Sequence, residues 1–159
     1  MNVLVNKAIK SFVCGVVLST VLGGTVLTAN ALSSSKSNVM DISANGVSYK
    51  AYNVVTTGKN TYNQNYASAY TNIYATNASS LQAGTVKVKP RLYYSDGTIA
   101  KEDDWSYSPS NSSGLGSTSL LLNANSSLAY YAWGLVEVYN GQGYTQRITY
   151  KSPSIRDFT

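Results

Sequence analysis

The sequence has no histidine and only one cysteine, and both absences restrict the chemistry that it supports. Without His, the chain can build neither a Ser-His-Asp triad nor a Cys-His pair, and no zinc site with His ligands. Charge is also scarce, at 12% of the residues, against about 25% in an average soluble domain. Tyr is abundant instead, with 14 Tyr beside two Trp and two Phe in 159 residues.

The N-terminal segment 1–31 has the three parts of a secretory signal peptide. Lys7 and Lys10 make a basic start, and an uncharged run rich in Val, Leu and Gly follows. Ala29 and Ala31 then provide the small residues that a signal peptidase needs for a cut after residue 31. The alternative is a membrane anchor, but glycines within a barely long enough apolar run favour the signal peptide. The sequence therefore predicts a secreted, extracellular protein in the style of Gram-positive bacteria.

Removal of this segment would leave a chain without cysteine and with little net charge. Two of the 12 basic residues precede residue 32 and all seven acidic residues follow it, so residues 32–159 carry +3 rather than +5. With no basic run, that charge is a weak basis for nucleic-acid binding, and no nucleic-acid partner is predicted. Because no disulfide can form there, stability must come from a hydrophobic core.

The composition after residue 31 favours strands and turns over helices. About a third of these residues are Ser, Thr or Asn, which suit turns and strands better than helix interiors. Residues 32–45 are polar and predict a flexible leader, and residues 46–159 predict one domain. Six to eight short strands separated by turn residues predict an all-β fold, a small antiparallel β-sandwich or a partly open barrel.

A first hairpin is predicted across Val86–Tyr107, with Asp96-Gly97 as a two-residue type I′ turn. Pro90 cannot donate a ladder hydrogen bond, so an edge position or a bulge is expected there. The turn sets a register that pairs apolar residues on one face and opposite charges on the other. The predicted pairs are Arg91 with Glu102, Lys89 with Asp104, Val88 with Trp105, and Val86 with Tyr107.

A second hairpin is predicted to join Leu128–Tyr139 to Tyr144–Lys151 through a loop of two or four residues, and both loops place the same faces of the two strands together. Its first strand is apolar on both faces, which indicates a central position in a sheet. Upstream, the four-residue spacing of Tyr in Thr61–Asn77 fits either a helical stripe or one face of a long strand. Because Asn, Thr and Tyr disfavour helix, the strand is predicted. The spaced residues are Tyr62, Tyr66, Tyr70 and Tyr74.

The candidate ligand site combines aromatic rings with one carboxylate. Glu137 is predicted on a strand face with three of these rings, an arrangement that suits the apolar face and the hydroxyls of a sugar. The competing interpretation places the same rings in the core. The candidate residues are Trp133, Tyr131, Glu137, Tyr139 and Trp105.

The acidic run at Glu102–Asp104 offers oxygen ligands for a calcium site or, with Glu137, a carboxylate pair for glycoside hydrolysis. Its spacing matches no calcium loop, and strand ion pairs explain it more simply. No catalytic residue, metal or cofactor is predicted, and the protein is not expected to be an enzyme.

Two functions remain open from the sequence. The favoured one is a non-catalytic extracellular protein that binds cell-wall glycan, a surface protein or its own copies through a Tyr- and Trp-rich β surface. The alternative is a membrane-active toxin or bacteriocin-like protein in which Thr61–Asn77 becomes a barrel hairpin. Membrane contact is expected only in that alternative.

Overall fold

The computed structural model describes residues 32–158, which form an all-β fold without helix. The predicted signal peptide, with Ala29 and Ala31, lies outside the described residues. Within them, no helix is long and apolar enough to cross a membrane. The strands are β1 Leu32–Lys36, β2 Met40–Ala44, β3 Val47–Lys59, β4 Asn65–Ala75, β5 Val86–Lys89, β6 Arg91–Tyr94, β7 Ile99–Glu102, β8 Ser106–Tyr107, β9 Gly114–Leu122, β10 Tyr130–Ala132, β11 Leu135–Tyr139 and β12 Tyr144–Ile148.

These strands form three antiparallel sheets, which confirms the all-β, antiparallel part of the prediction. Sheet A has five strands, in the order β1-β3-β4-β9 with β2 also paired to β3. Sheet B has the order β12-β11-β5-β8, and sheet C has the order β10-β6-β7. The twelve strands exceed the six to eight expected, because three predicted strands are each broken into two and residues 32–45 add two more.

Sheets B and C are two halves of one kinked surface. Strands β5 and β6 are separated only by Pro90, and β10 and β11 only by Trp133 and Gly134. The pairing keeps one register across both breaks, since Val88 opposes Val136 in sheet B and Leu92 opposes Ala132 in sheet C. The interruption expected at Pro90 is therefore present, and it passes the chain from one sheet to the next.

Sheet A packs against sheets B and C through two apolar clusters. Side chains alternate along each strand, so every second residue enters the core. Each fully buried Val, Leu or Ile contributes about 1.5–3 kcal/mol through the hydrophobic effect. The cluster against sheet B includes Ala51, Ile73, Val86, Val88, Val136 and Val138, and the cluster against sheet C includes Val55, Ala67, Ala69, Leu92, Tyr130 and Ala132.

A buried polar layer centred on Asn53 separates the two clusters. The Asn53 side chain is fully buried, and its Oδ1 accepts hydrogen bonds from Thr71 Oγ1 at 2.8 Å and from the Gly134 amide at 3.2 Å. Its Nδ2 donates to Thr149 Oγ1 and, at 2.8 Å, to the Tyr150 carbonyl. The amide thus uses both donors and its acceptor to join β3 and β4 to the kink and to the C-terminal segment.

Gly134 is required at this junction because the backbone of the kink lies against β4. A Cβ atom at Gly134 would come within 2.0 Å of Thr71 Oγ1. Such a contact is far inside van der Waals distance, so any larger residue would push sheet A away from the kink. Pro90 and Gly134, which interrupt the two broken strands, are therefore both explained by the structure.

The Tyr-rich segment is a strand, as predicted, and it forms the central β4 of sheet A. Tyr70 and Tyr74 lie half-buried on the face turned away from the core, opposite the buried Ala67 and Ile73. Tyr66 lies on the same face of the strand but is buried, at 5% exposed. Tyr62 is not part of the strand; it lies in the preceding turn and is 75% exposed.

The polar segment 32–45, expected to be a flexible leader, instead forms β1 and β2 along one edge of β3. Its residues need few apolar contacts of their own, since backbone pairing to a long, buried neighbour orders them. Two further contacts add to that pairing. Ile42 is buried, and Ser37 Oγ accepts a hydrogen bond from the backbone N–H of Asn53 at 3.0 Å.

The first hairpin keeps the predicted pairing of Arg91 with Glu102 but not the predicted turn. Tyr94 O accepts a hydrogen bond from Gly97 N at 3.0 Å. Of the two predicted turn residues, Asp96 and Gly97, only Gly97 has a positive φ, at 94°. This is a three-residue loop with Gly in the left-handed position. A register shift between Leu92 and Tyr93 then restores the Arg91 register.

Beyond Pro90 the predicted pairs are wrong by one residue. Val88 opposes Ser106 rather than Trp105, and Lys87 rather than Val86 opposes Tyr107. The break at Pro90 allows this slip, because the two halves of the segment enter different sheets. The second hairpin brings the predicted faces together through the four-residue loop, with Tyr139 opposite Tyr144, and β11 is central in sheet B as expected.

Replacement of the central amide tests the polar layer. The variant Asn53→Ala is expected to lower the free energy of unfolding by about 3 kcal/mol or more, since each buried group left unpaired costs about 1–3 kcal/mol. Urea unfolding followed by circular dichroism measures this. The control Thr56→Ala, on the outer face of the same strand, is expected to cost less than about 1 kcal/mol. Equal losses in both variants would contradict the role given to Asn53.

Candidate functional site

The candidate site lies on the outer face of sheets B and C, the face turned away from sheet A. Strand alternation produces it: Val86 and Val88 enter the core, so Lys87 and Lys89 point outward. On β11, Glu137 points outward in the same way and lies directly opposite Lys87. Aromatic residues from neighbouring strands and loops surround these charges in two groups.

The first group, the Lys87 cluster, is an ion pair surrounded by rings. Lys87 Nζ contacts Glu137 Oε2, and the two side chains are only 13% and 15% exposed. The same Nζ lies 3.8 Å from the centroid of the Tyr144 ring. Cation–π contacts of this kind contribute about 0.5–2 kcal/mol and strengthen as water is excluded. The ring centroids of Trp105 and Tyr107 lie further out, at 5.4 and 5.5 Å.

The rings of this cluster combine exposure with fixed positions. Tyr107 is 58% exposed and Tyr144 is 44% exposed. Tyr144 Oη donates a hydrogen bond to Gly84 O at 2.6 Å, and its ring meets that of Tyr139 edge-on with centroids 5.5 Å apart. Tyr139, itself exposed, donates to Gly141 O at 3.2 Å. The cluster therefore offers aromatic surface to a ligand at little cost in side-chain entropy.

The second group, the Tyr93 cluster, is closed by comparison. The rings of Tyr93 and Tyr131 stack with centroids 5.2 Å apart, and both side chains are nearly buried. Trp133 leans on Tyr93 with centroids 5.6 Å apart and donates from Nε1 to Thr149 O at 2.7 Å. Lys151 Nζ lies 4.3 Å from the Trp133 ring. Burial also raises the pKa of the Tyr131 hydroxyl. Because the rings of Tyr93 and Tyr131 are buried, this cluster offers little surface to a ligand.

A strip of ion pairs lies on the strands between the two groups. Glu102 Oε1 contacts Lys89 Nζ at 2.7 Å, and Glu102 Oε2 contacts Arg91 Nε. Lys89, and then Arg91, hold the pKa of the Glu102 carboxyl below its usual value. Lys89 was expected to pair with Asp104; the slip at Pro90 gives it Glu102 instead, and Asp104 remains exposed. Among residues 32–158 no group of three or more acidic or cysteine side chains is placed to hold a metal ion.

The five predicted ligand-site residues all lie on or beside this face, but they do not form one group. Trp133 and Tyr131 belong to the closed Tyr93 cluster. Glu137 and Trp105 belong to the Lys87 cluster, and Tyr139 borders it through Tyr144. The prediction did not include Lys87, Tyr107, Tyr144, Tyr93 and Lys151.

One of these missed residues had a signal in the sequence. The second hairpin register already places Tyr144 opposite Tyr139, so Tyr144 was available as a site residue. Lys87 had none, because its contact with Glu137 depends on β5 lying beside β11, two strands that are far apart in the sequence.

A second aromatic surface lies on the outer face of sheet A. Tyr52 on β3 stands between Tyr70 and Tyr74 on β4, with its ring centroid 6.5 Å from each of theirs. Lys36 Nζ covers the Tyr52 ring at 3.7 Å from its centroid. Tyr70 Oη donates to Asn72 Oδ1 at 3.1 Å. This surface carries no carboxylate partner for Lys36 among the ion pairs of the described residues.

No protein-family model, curated protein or solved structure matches this chain.

The ion-pair strip predicts an acid dependence of stability. Because the folded pKa of Glu102 lies below its usual 4.5, the unfolded chain binds more protons just below that pH. The stabilisation is complete above the unfolded pKa and is lost as the pH falls through the folded pKa. Glu102→Gln lacks it, so the difference in urea midpoint between wild type and variant is expected to shrink on acidification from neutral pH.

The control for this series is Asp104→Asn, at an exposed carboxylate outside the strip. It is expected to keep the wild-type pH profile. A Glu102→Gln difference that stays constant from neutral to acid pH would contradict the assignment.

Proposed function

We propose that the protein is a secreted, non-catalytic β-sandwich protein that binds cell-wall glycan through the Lys87 cluster. Sheet A forms one layer of the proposed sandwich, and the kinked surface of sheets B and C forms the other. The observation that carries the proposal is the shielded Lys87–Glu137 pair beside the exposed rings of Tyr107 and Tyr144. A surface protein or a second copy of the chain is the other class of partner for such a face.

The chemistry of a sugar fits these groups. Each pyranose ring has an apolar face of C–H bonds, which packs on an aromatic ring, and a rim of hydroxyls, which needs donors and acceptors. The exposed tyrosines supply the rings, while Lys87 and Glu137 supply one donor and one acceptor side by side. Because this pair is already largely shielded from water, a bound hydroxyl costs little additional desolvation.

Secretion is proposed from segment 1–31, with its basic start, apolar run and Ala29–Ala31 cleavage motif. A cysteine-free chain after residue 31 is also independent of the redox state of the compartment. An extracellular location would bring the Lys87 cluster to the cell-wall polymers that it is proposed to bind.

The packing of strand β4 within sheet A counts against the membrane-active alternative. The segment expected to form a pore hairpin contains β4, which is paired on both sides, to β3 and to β9. Its core-facing Ala67, Ala69 and Ile73 are fully buried. Pore formation would require sheet A to open, so glycan binding without membrane leakage is proposed.

Loss of one exposed ring tests the binding site. Tyr144→Ala is expected to weaken co-sedimentation with isolated peptidoglycan by about tenfold or more, since central aromatic contacts are worth roughly 2 kcal/mol or above. The assay uses the protein in the form that the expression host secretes, and co-sedimentation is measured over a series of salt concentrations. Binding by ring stacking is expected to survive salt, whereas binding to anionic polymers would weaken.

The matched control is Tyr62→Ala, which removes an even more exposed tyrosine from a turn outside the site. It is expected to bind peptidoglycan as the wild type does. The proposal fails if the two variants bind equally, or if the wild type ignores peptidoglycan and releases dye from anionic liposomes.

Secretion is tested with the full chain expressed in a Gram-positive host. The protein is expected in the medium with Leu32 as its first residue, determined by N-terminal sequencing. Ala31→Lys is expected to block cleavage and leave the precursor with the cells, because the −1 position accepts only small residues. Ala83→Lys, in an exposed loop, serves as control. A wild-type chain that keeps residues 1–31 would contradict the proposed processing.

A further inference from the structure

Strand β9 forms an edge of sheet A that lacks the usual protection against pairing. It is nine residues long, and among the described strands it pairs only with β4. Its sequence, Gly-Leu-Gly-Ser-Thr-Ser-Leu-Leu-Leu, has no charge and no proline. Proteins normally blunt such edges with charged residues, proline, bulges or very short strands.

The other sheet edges of the described chain show this protection. Lys36 lies in β1, Asp41 in β2, Lys101 in β7 and Arg147 in β12. Strand β8 is only two residues long. Strand β10 (Tyr130–Ala132) is uncharged, but it is only three residues long and the C-terminal segment covers its edge through the Tyr130–Ile155 bridge. Among these edges of the described chain, β9 is therefore the long one without charge.

The backbone of β9 has free groups along its outer side. Ala75 N donates to Ser113 O at 2.7 Å, which fixes the odd-numbered residues of β9 as those that bond to β4. Gly116, Thr118 and Leu120 therefore direct their N–H and C=O groups away from β4. No backbone bond to these outward groups occurs within residues 32–158.

We infer that β9 pairs with β9 of a second copy, antiparallel and about a two-fold axis at Thr118. This register opposes Thr118 to Thr118 of the second copy, Gly116 to Leu120 and Gly114 to Leu122. The ladder ends at Gly114, because Ser112 Oγ already donates to its C=O and accepts from its N–H at 3.2 Å. Every outward-directed residue then meets another outward-directed residue, as an antiparallel ladder requires. Each Leu faces a Gly, so the larger side chains have room, and no like charges meet.

The ends of the strand fit this register. Before β9, Leu81 N bonds to Ser112 O at 2.9 Å and covers the edge there. After β9, Asn123 has φ 54°, which turns the chain out of the strand. In the proposed dimer the partner chain thus turns away beside Gly114, before it reaches the covered residue.

Thr118 supplies a further observation. Its Oγ1 is buried and has no hydrogen-bond partner among the described residues. In the proposed dimer, a rotation about χ1 would bring this hydroxyl out of the fold, and two Thr118 side chains opposite each other across the axis would then share a hydrogen bond. The dimer would also place two copies of the Tyr52, Tyr70 and Tyr74 surface on one continuous sheet.

The test is the molar mass in solution, measured by light scattering and sedimentation over a range of protein concentrations. It uses the protein in the form that the expression host secretes. The wild type is expected to reach twice the monomer mass. T118K and T118E are each expected to fall to the monomer mass, because two like charges then meet at the axis. An equimolar mixture of the two is expected to regain the doubled mass, since only this register opposes residue 118 to itself.

Two control variants distinguish loss of the dimer from loss of folding. T118V keeps the backbone and shape of the edge and is expected to remain dimeric. T56K adds the same charge to the outer face of β3 and is also expected to remain dimeric. A monomeric wild type, dimers of T118K and T118E alone, or no recovery on mixing would overturn the proposal. Peptidoglycan binding by monomeric T118K would leave the proposed function standing.

Discussion

The buried amide of Asn53 decides how the layers of this protein meet. It lies where two strands of the kinked surface break, and it satisfies groups on sheet A, on the kink and on the C-terminal segment. Without it, the broken strands would leave backbone groups unpaired in the core, at a cost of about 1–3 kcal/mol each. Gly134 allows the backbone to come close enough for these bonds. The apolar clusters on either side provide most of the stability, and the polar layer fixes their relative placement.

The kink also divides the outer face into two aromatic groups with different properties. On one side of it, Tyr93 and Tyr131 stack and are closed off. On the other side, Tyr107 and Tyr144 stand open around the shielded charge of Lys87. The high tyrosine content therefore has two physical uses in one molecule. Tyrosine suits both, because its ring packs as a hydrophobic group while its hydroxyl bonds to backbone carbonyls.

The proposed glycan site and the proposed dimer edge lie on different sheets. The Lys87 cluster is on the outer face of sheet B, and the open edge of β9 belongs to sheet A. They are neighbours, because Ser106 Oγ of β8, beside Tyr107, donates to Ser117 Oγ of β9 at 2.9 Å. Two weak glycan sites held at a fixed distance on a repetitive polymer would then bind with avidity well above that of one site.

The sequence by itself determined the strand periodicity, the faces and the pairings set by local turns. The pairing of Tyr139 with Tyr144 follows from a hairpin that closes within a few residues, and the alternation of Tyr and Ala in β4 follows from the two-residue period of a strand. The Arg91–Glu102 pair needed more than its turn, because a register shift between Leu92 and Tyr93 offsets the longer loop. Tertiary structure decided the rest. The pairing of β5 with β11, which brings Lys87 to Glu137, joins segments about 50 residues apart, and no local pattern records it. The same reason explains why a polar segment became two strands: its order comes from the neighbour that it pairs with and not from its own composition.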